Sequence, residues 1–416
     1  MANDWLTTTL PGTGRAPARP TLALWFRVRY RLTPWWARVL LVFVVSRVIT
    51  TAMLLVHASW QQSNAWTGSH PGYLDFARIW DGHWYFIVAA AGYPAALPVM
   101  ADGHIGENAW AFMPAYPALV RFLMFATGLD YDILAVFVAV VFAAATALLF
   151  YRLMARMLPP GTALFAVVLF CFAPVSPILQ VTYAESMFAF FLTLGLYLLV
   201  SRNYLLLIPT VVVLSLTRPG GLAFALALGL HVAHRWWSRE RDPFPPRERV
   251  SALLATGLAV AAGLCWPVIA WVVTGVPGAY TQTELAWRAP YVGYGELFPF
   301  VPWVQGANWW LPGGLGLALL FVLVVGFAAL MFTPAVRRLG VDIRFWLASF
   351  VLYILAVFFP QSSTFRILLP TFPLLGAVAI PRSPIYRIGV IVLFIALQWG
   401  WIHISWWVDG ADWTPP

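Results

Sequence analysis

The stretch Trp110-Ala-Phe-Met-Pro-Ala-Tyr-Pro-Ala-Leu-Val-Arg-Phe-Leu-Met-Phe-Ala-Thr127 decides the topology of this chain. It is apolar enough to pass for a membrane span. Counted as one, it would invert every later loop and carry the Arg-rich segment 235–249 to the opposite side of the membrane. Pro114 and Pro117 each lack a backbone donor, and Arg121 would sit in hydrocarbon, so it makes a poor lipid-facing helix. It reads instead as an interfacial or re-entrant helix.

Around it lie apolar runs near 36–59, 133–157, 161–179, 184–200, 203–217, 219–236, 250–275, 312–333, 343–359, 366–380 and 386–407. Each is a candidate span, the shorter ones only where neighbouring helices shield their ends. Of 416 residues, 61% are hydrophobic and 10% charged, far from the composition of a soluble domain. The expected fold is an all-α polytopic integral membrane protein of about 11 transmembrane helices. A cytoplasmic basic tail over 1–35 precedes a single membrane domain over 36–407, and 408–416 form an outer tail. The first outer loop then runs from about 60 to 131, too long for a mere connector.

The net charge of +9 would point to nucleic acid in a soluble chain, but here its distribution speaks for the membrane. All 25 basic residues are Arg, which fits a G+C-rich genome. Arg15, Arg19, Arg27, Arg29, Arg31 and Arg38 precede the first run, and Arg152, Arg156, Arg202, the 235–249 group, Arg337, Arg338, Arg344, Arg382 and Arg387 fall in alternate loops. By the positive-inside rule those loops and the N-terminus are cytoplasmic, in a plasma membrane, with Asp409 and Asp412 outside. Residues 1–35 hold no signal-peptide core. Cys171 and Cys265 lie in apolar runs and read as small core residues, not a disulfide.

Six Arg remain on the outer side or in a span: Arg47, Arg78, Arg121, Arg218, Arg288 and Arg366. Positive charge against the inside trend needs a reason, and a lipid phosphate supplies one, because the guanidinium fork matches phosphate oxygens. The alternative is that each pairs with Glu185, Glu284 or a carbonyl as structural glue. Asp81 lies in Trp80-Asp-Gly-His-Trp-Tyr85, at the lip of the first span, where a carboxylate among aromatics is costly to keep. Residues 73–88 have helical periodicity, with Tyr73, Phe76, Ala77, Trp80, Trp84, Ile87 and Val88 on one face and Asp75, Arg78, Asp81 and Tyr85 on another. One amphipathic helix in the membrane plane fits, with Arg78 and Asp81 either a surface pair or part of a site. Glu185 begins an apolar helix, as a favourable first-turn carboxylate or as a second active-site acid beside Asp81.

His83 and His104, with Asp81, Asp102 and Glu107, lack any tight ligand spacing, so neither a metal nor a cofactor is expected. His83 reads as a hydrogen bonder, and His231, His234 and His403 as interfacial residues. The outer loop 276–311 mixes Tyr280, Glu284, Trp287, Arg288, Tyr291, Tyr294, Glu296, Trp303, Trp309 and Trp310, which suits either a sugar-binding surface or an aromatic belt. No Gly-rich phosphate loop, Ser-His-Asp order or internal repeat appears; Gly220-Gly221 and Gly313-Gly314 read as turn or packing glycines.

Trp-Asp-x-x-Trp-Tyr at 80–85, Ala91-Gly-Tyr-Pro94, Ala111-Phe-Met-Pro-Ala-Tyr-Pro117 and Tyr183-Ala-Glu-Ser186 follow one another in an order that resembles the PIG-V family. These are the GPI mannosyltransferase II type enzymes, with bacterial relatives, within the GT-C superfamily. The likeness covers roughly residues 75–220 and reaches weakly to Arg366. It implies a multi-span fold with interfacial helices in a long first outer loop. It also implies a polyprenyl-phosphate sugar donor, usually mannose, and inverting transfer to a glycolipid or glycan acceptor on the non-cytoplasmic face. Asp81 then corresponds to the catalytic acidic residue. At Arg218 the turn reads Arg-Pro-Gly-Gly where relatives often carry Arg with Ser or Asn.

The expected chemistry is therefore mannosyl transfer, with Asp81 as general base and Glu185 as a second acid. Arg366, Arg218 and Arg288 would bind the donor phosphate, and Arg78 would keep Asp81 ionised. Trp80, His83, Trp84, Tyr85 and Tyr183 would contact substrate, with membrane lipids around the spans and no nucleic acid partner. Rival readings are a transporter or flippase of an anionic glycolipid and a non-catalytic membrane scaffold.

Overall fold

The computed structural model describes residues 32–295, 298–408 and 414–416. The basic tail as far as residue 31, Glu296, Asp409 and Asp412 fall outside the described residues. Residues 39–416 form one compact unit, and the site described below lies within it.

The described residues are helical, with no strand longer than the isolated Val99–Ile105 bridge. Four helices are long and apolar enough to cross a membrane: α1 (Trp35–Trp60), α5 (Tyr131–Met154), α10 (Pro246–Thr274) and α15 (Pro384–Trp401) with its π-helical extension to Trp406. At 1.5 Å per residue, about 20 residues cover the roughly 30 Å hydrocarbon layer. Between them in sequence come α2 (Tyr73–Ala77), α3 (Asp81–Ala91), α4 (Ala115–Thr127), α6 (Pro160–Phe172), α7 (Glu185–Val200), α8 (Tyr204–Thr217) and α9 (Gly221–Trp237). After α10 come α11 (Ala279–Ala286), α12 (Val301–Trp310), α13 (Leu315–Leu330) and α14 (Val341–Val357).

The core forms where helices are apolar all round. Helix α5 packs on α6 and α7, α7 on α8, both α8 and α9 on α10, and α9 on α14. Close approach is bought by glycine: a Cβ on Gly263 of α10 would lie 2.8 Å from the Leu222 amide of α9, and one on Gly220 would lie 2.6 Å from the Phe188 ring. Helix α13 is the opposite case. It packs on α12, its sole buried residue is Gly316, and its Leu and Val side chains face outward, as suits a lipid-bathed helix.

Helix α4 has 13 residues, as many as α6. It buries Tyr116, Pro117 and Val120 and leaves Arg121 and Phe125 exposed. The expectation of one helix over 73–88 fails. Helix α2 ends at Ala77, Trp80 takes a left-handed φ of 59°, and α3 starts afresh at Asp81. The segment before α7 causes the break: the Thr182 amide and hydroxyl both donate to the Ala77 carbonyl, at 3.3 and 3.1 Å. Periodicity within 73–88 could not register a partner a hundred residues away. Tyr85, placed on the polar face, is buried for the same reason.

Candidate active site

Three polypeptide segments converge on the start of α3. Asp81 is its first residue, and the Asp81 amide, which the helix leaves unpaired, donates to the Tyr183 hydroxyl at 3.1 Å. Gly82 follows because a Cβ there would run into the Thr182 hydroxyl. A left-handed φ at a bulky residue costs about 1–3 kcal/mol and persists only where surrounding structure imposes it. At Trp80 it redirects the chain so that the Asp81 carboxylate meets Arg366, which stands 285 positions further along.

Arg366 lies in the short helical turn Thr364–Ile367 and is buried. Its Nη1 donates to Asp81 Oδ2 and, at 3.2 Å, to Glu185 Oε1. Glu185 opens α7, and the same Oε1 accepts from Arg218 Nη1 at the end of α8. Two carboxylates and two guanidiniums thus form a charge-balanced chain, Asp81–Arg366–Glu185–Arg218. Buried charges are tolerable only when paired in this way. The Tyr183 ring lies beneath the Arg366 guanidinium, 5.4 Å from centroid to Cζ, so Tyr183 holds both members of the Asp81–Arg366 pair. Two polar atoms of the chain, Glu185 Oε2 and Arg366 Nε, are buried without a hydrogen-bond partner.

All four charged residues line one cavity of about 960 Å³. Trp80, Trp84, Tyr85, Glu107, Glu284, Trp287 and Arg288 also line it, and it continues along an apolar wall of Leu222, Leu264, Pro267, Phe350 and Ile354. Asp81 keeps a fifth of its side chain exposed, whereas Glu185 is closed off. Arg288 Nη2 donates to the Val357 carbonyl at 2.5 Å, and burial lowers its pKa.

Several sequence expectations are corrected here. Arg78 is not the partner of Asp81: its Nη1 pairs with Asp132 Oδ2 at 3.0 Å, and Arg78 does not line the cavity. The three-residue spacing suggested the pair, but the left-handed turn at Trp80 separates the two side chains. His83 is exposed and packs on Trp66 and Phe86, outside the cavity lining. Tyr183 sits behind the lining, as a positioning residue. The acids and histidines considered as metal ligands are not gathered: His104 stacks on Tyr294, and no group of three such side chains forms among the described residues. His231, read as interfacial, is buried between Asp342 and Tyr204.

Arg47 takes the structural-glue role that the sequence left open for each outlying Arg. Arg47, inside α1, donates to the Cys171 and Ser176 carbonyls at 2.7 and 2.9 Å. It thereby ties down the end of α6 and the 3₁₀ turn Ser176–Gln180 that leads into Tyr183 and Glu185. An arginine within an apolar run is a visible signal, but its target is not. The chain matches no protein-family profile and no curated protein.

Proposed function

We propose that the chain is a membrane glycosyltransferase that moves a sugar, mannose by resemblance, from a polyprenyl phosphate to a lipid-linked or glycan acceptor. The observation that carries the reading is one cavity shared by a partly open carboxylate, Asp81, two guanidiniums and an apolar wall. An anionic head beside a long hydrocarbon tail matches that division. The tail would lie along Leu222, Leu264, Pro267, Phe350 and Ile354, and the phosphate against Arg366 and Arg218.

In this reading eleven helices cross the membrane: the four long ones, α6 to α9, α13, α14 and the segment 364–378. The Arg-rich turns then face the cytoplasm, and the cavity opens on the far side of a plasma membrane.

The reaction follows from the groups present. In the free protein Arg366 Nη1 donates to Asp81 Oδ2 and so occupies the carboxylate. A donor phosphate competes for the guanidinium and releases the carboxylate. Asp81 then takes the proton of the acceptor hydroxyl while that oxygen attacks the anomeric carbon. The bond from that carbon to the phosphate oxygen breaks, its electron pair leaves with the polyprenyl phosphate, and configuration inverts. The phosphate is already a stable anion, so no general acid is needed, and Arg366 and Arg218 hold its growing charge.

The test is transfer of labelled mannose from polyprenyl-phosphate-mannose to a membrane-lipid extract. Asp81→Asn should lower transfer by about 10²–10⁴-fold, the usual contribution of a general base, while the protein still folds. Near-normal transfer by that variant would remove Asp81 as the base. Movement of lipid between leaflets without a labelled product would point to a flippase instead.

A further inference from the structure

The cavity that holds the Asp81–Arg366 pair is lined by a second polar group that proton transfer and phosphate binding leave unused. Helix α11 places Tyr280 and Glu284 one turn apart, and Trp287 and Arg288 follow on the same side, all four lining the cavity. Its opposite face is buried and anchored: Asn108 Nδ2 donates to Thr283 Oγ1 at 2.9 Å. The polar face is therefore held firmly towards the cavity.

Glu284 differs from Asp81 and Glu185 in having no ion pair within 4.0 Å among the described residues. Burial raises its pKa, opposed by the charges of Arg288 and then Arg218 and by the Tyr280 hydroxyl. Next to it is an aromatic corner. Trp287 meets Trp84 edge-on, at 5.6 Å and 76°, and Trp84 stacks flat on Phe112, at 5.6 Å and 9°. The Trp287 indole Nε1 is buried without a hydrogen-bond partner.

A carboxylate with free acceptor positions, an indole with an unused donor and two aromatic faces at right angles call for a ligand with both hydroxyls and C–H faces. A pyranose ring has that chemistry. A metal ion does not fit, because Arg288 and Arg218 repel cations and no third ligand is near. Arg218 links the two groups: it bonds Glu185 in the phosphate cluster and lines the same cavity as Glu284. A sugar joined directly to a phosphate held at Arg218 lies beside Glu284.

We propose that Glu284, Trp287 and Trp84 form the subsite for the donor hexose, with Glu284 accepting hydrogen bonds from its ring hydroxyls. The inference rests on the glycosyltransferase reading above, and the experiment separates the two. Full-length protein in detergent is titrated with geranyl phosphate and with geranyl-phosphate-mannose, following tryptophan fluorescence. The wild type should bind the sugar-bearing ligand more tightly. Glu284→Gln should weaken that ligand alone by about tenfold or more, the usual effect of losing hydrogen bonds to a charged group. Glu284→Asp should lose part of the preference, and unchanged affinity for geranyl phosphate certifies the fold of each variant. If Glu284→Gln keeps the full preference for the sugar-bearing ligand, or weakens both ligands equally, the subsite is wrong while the phosphate site stands. If the wild type binds neither ligand, the glycosyltransferase reading fails first and takes the subsite with it.

Discussion

The bundle carries a charged network at each end, and the two are built alike but placed differently. At one end Asp81, Arg366, Glu185 and Arg218 join the starts of α3 and α7, the end of α8 and the turn after α14. At the other, His231 Nδ1 meets Asp342 at 2.6 Å, its Nε2 meets the Tyr204 hydroxyl at 2.8 Å, and Tyr204 reaches Glu248. Arg235 continues that chain to Glu248 and Asp242, at 3.0 and 2.7 Å. Both networks link helices that are apolar along their middles. Only the first lines the 960 Å³ cavity. Charges that border no cavity can do little but fix the helices that carry them. Charges bordering a cavity can exchange partners with a ligand, so equal chemistry acquires different uses through access to space.

Removing a charge from each end tests that contrast. Arg366→Met should do the most damage, since it leaves Asp81 without a cation and Glu185 with Arg218 alone: transfer should fall by at least about 100-fold. Stability should fall too, by about 3–5 kcal/mol, read as a lower unfolding temperature in detergent. Arg235→Met at the far end should cost a similar amount of stability, because Glu248 loses its partner. Yet transfer per folded molecule should stay within about twofold. A large loss of transfer in well-folded Arg235→Met protein would erase the distinction between the ends.

Gly82→Ala should act in between. The added methyl meets the Thr182 hydroxyl and must push α3 from its seat. A shift of about 1 Å at a reacting group can cost on the order of 100-fold in rate, so transfer should fall far more than stability. Thr182→Ser is the control, since it keeps the hydroxyl bond to Ala77.

The smallest effect concerns acid. Burial holds the Glu284 carboxyl above its ordinary 4.5, so the folded chain binds that proton more tightly than the unfolded chain. The resulting stability is fully present below about pH 4.5 and is lost as pH rises through the folded value. Relative to Glu284→Gln, which cannot titrate, the wild type should therefore lose ground in unfolding temperature as pH rises across this window. Parallel curves for the two proteins would show that Glu284 is solvated in the folded state.

Much of the architecture was legible before folding. Apolar run length marked α1, α5, α10 and α15, because that signal concerns each segment's own exchange between water and hydrocarbon. Asp81, Glu185, Arg218 and Arg366 stood out for a related reason: charge in apolar surroundings is visible one residue at a time. What failed was partnership. Arg78 was the nearest cation to Asp81 in sequence, but it serves Asp132, while the true partner stands near the other end of the chain. His231 looked interfacial, and its acid is supplied by α14.

The sequence by itself determined that this chain is helical and apolar, with a handful of outlying charges, since hydropathy and helical period are local properties. The breaking of 73–88 at Trp80, the pairing of Asp81 with Arg366 and the placing of Glu284 on the same cavity came only with the folded chain. Those outcomes depend on carbonyls, hydroxyls and guanidiniums brought together from remote segments. No periodicity within one segment can encode which of them will meet.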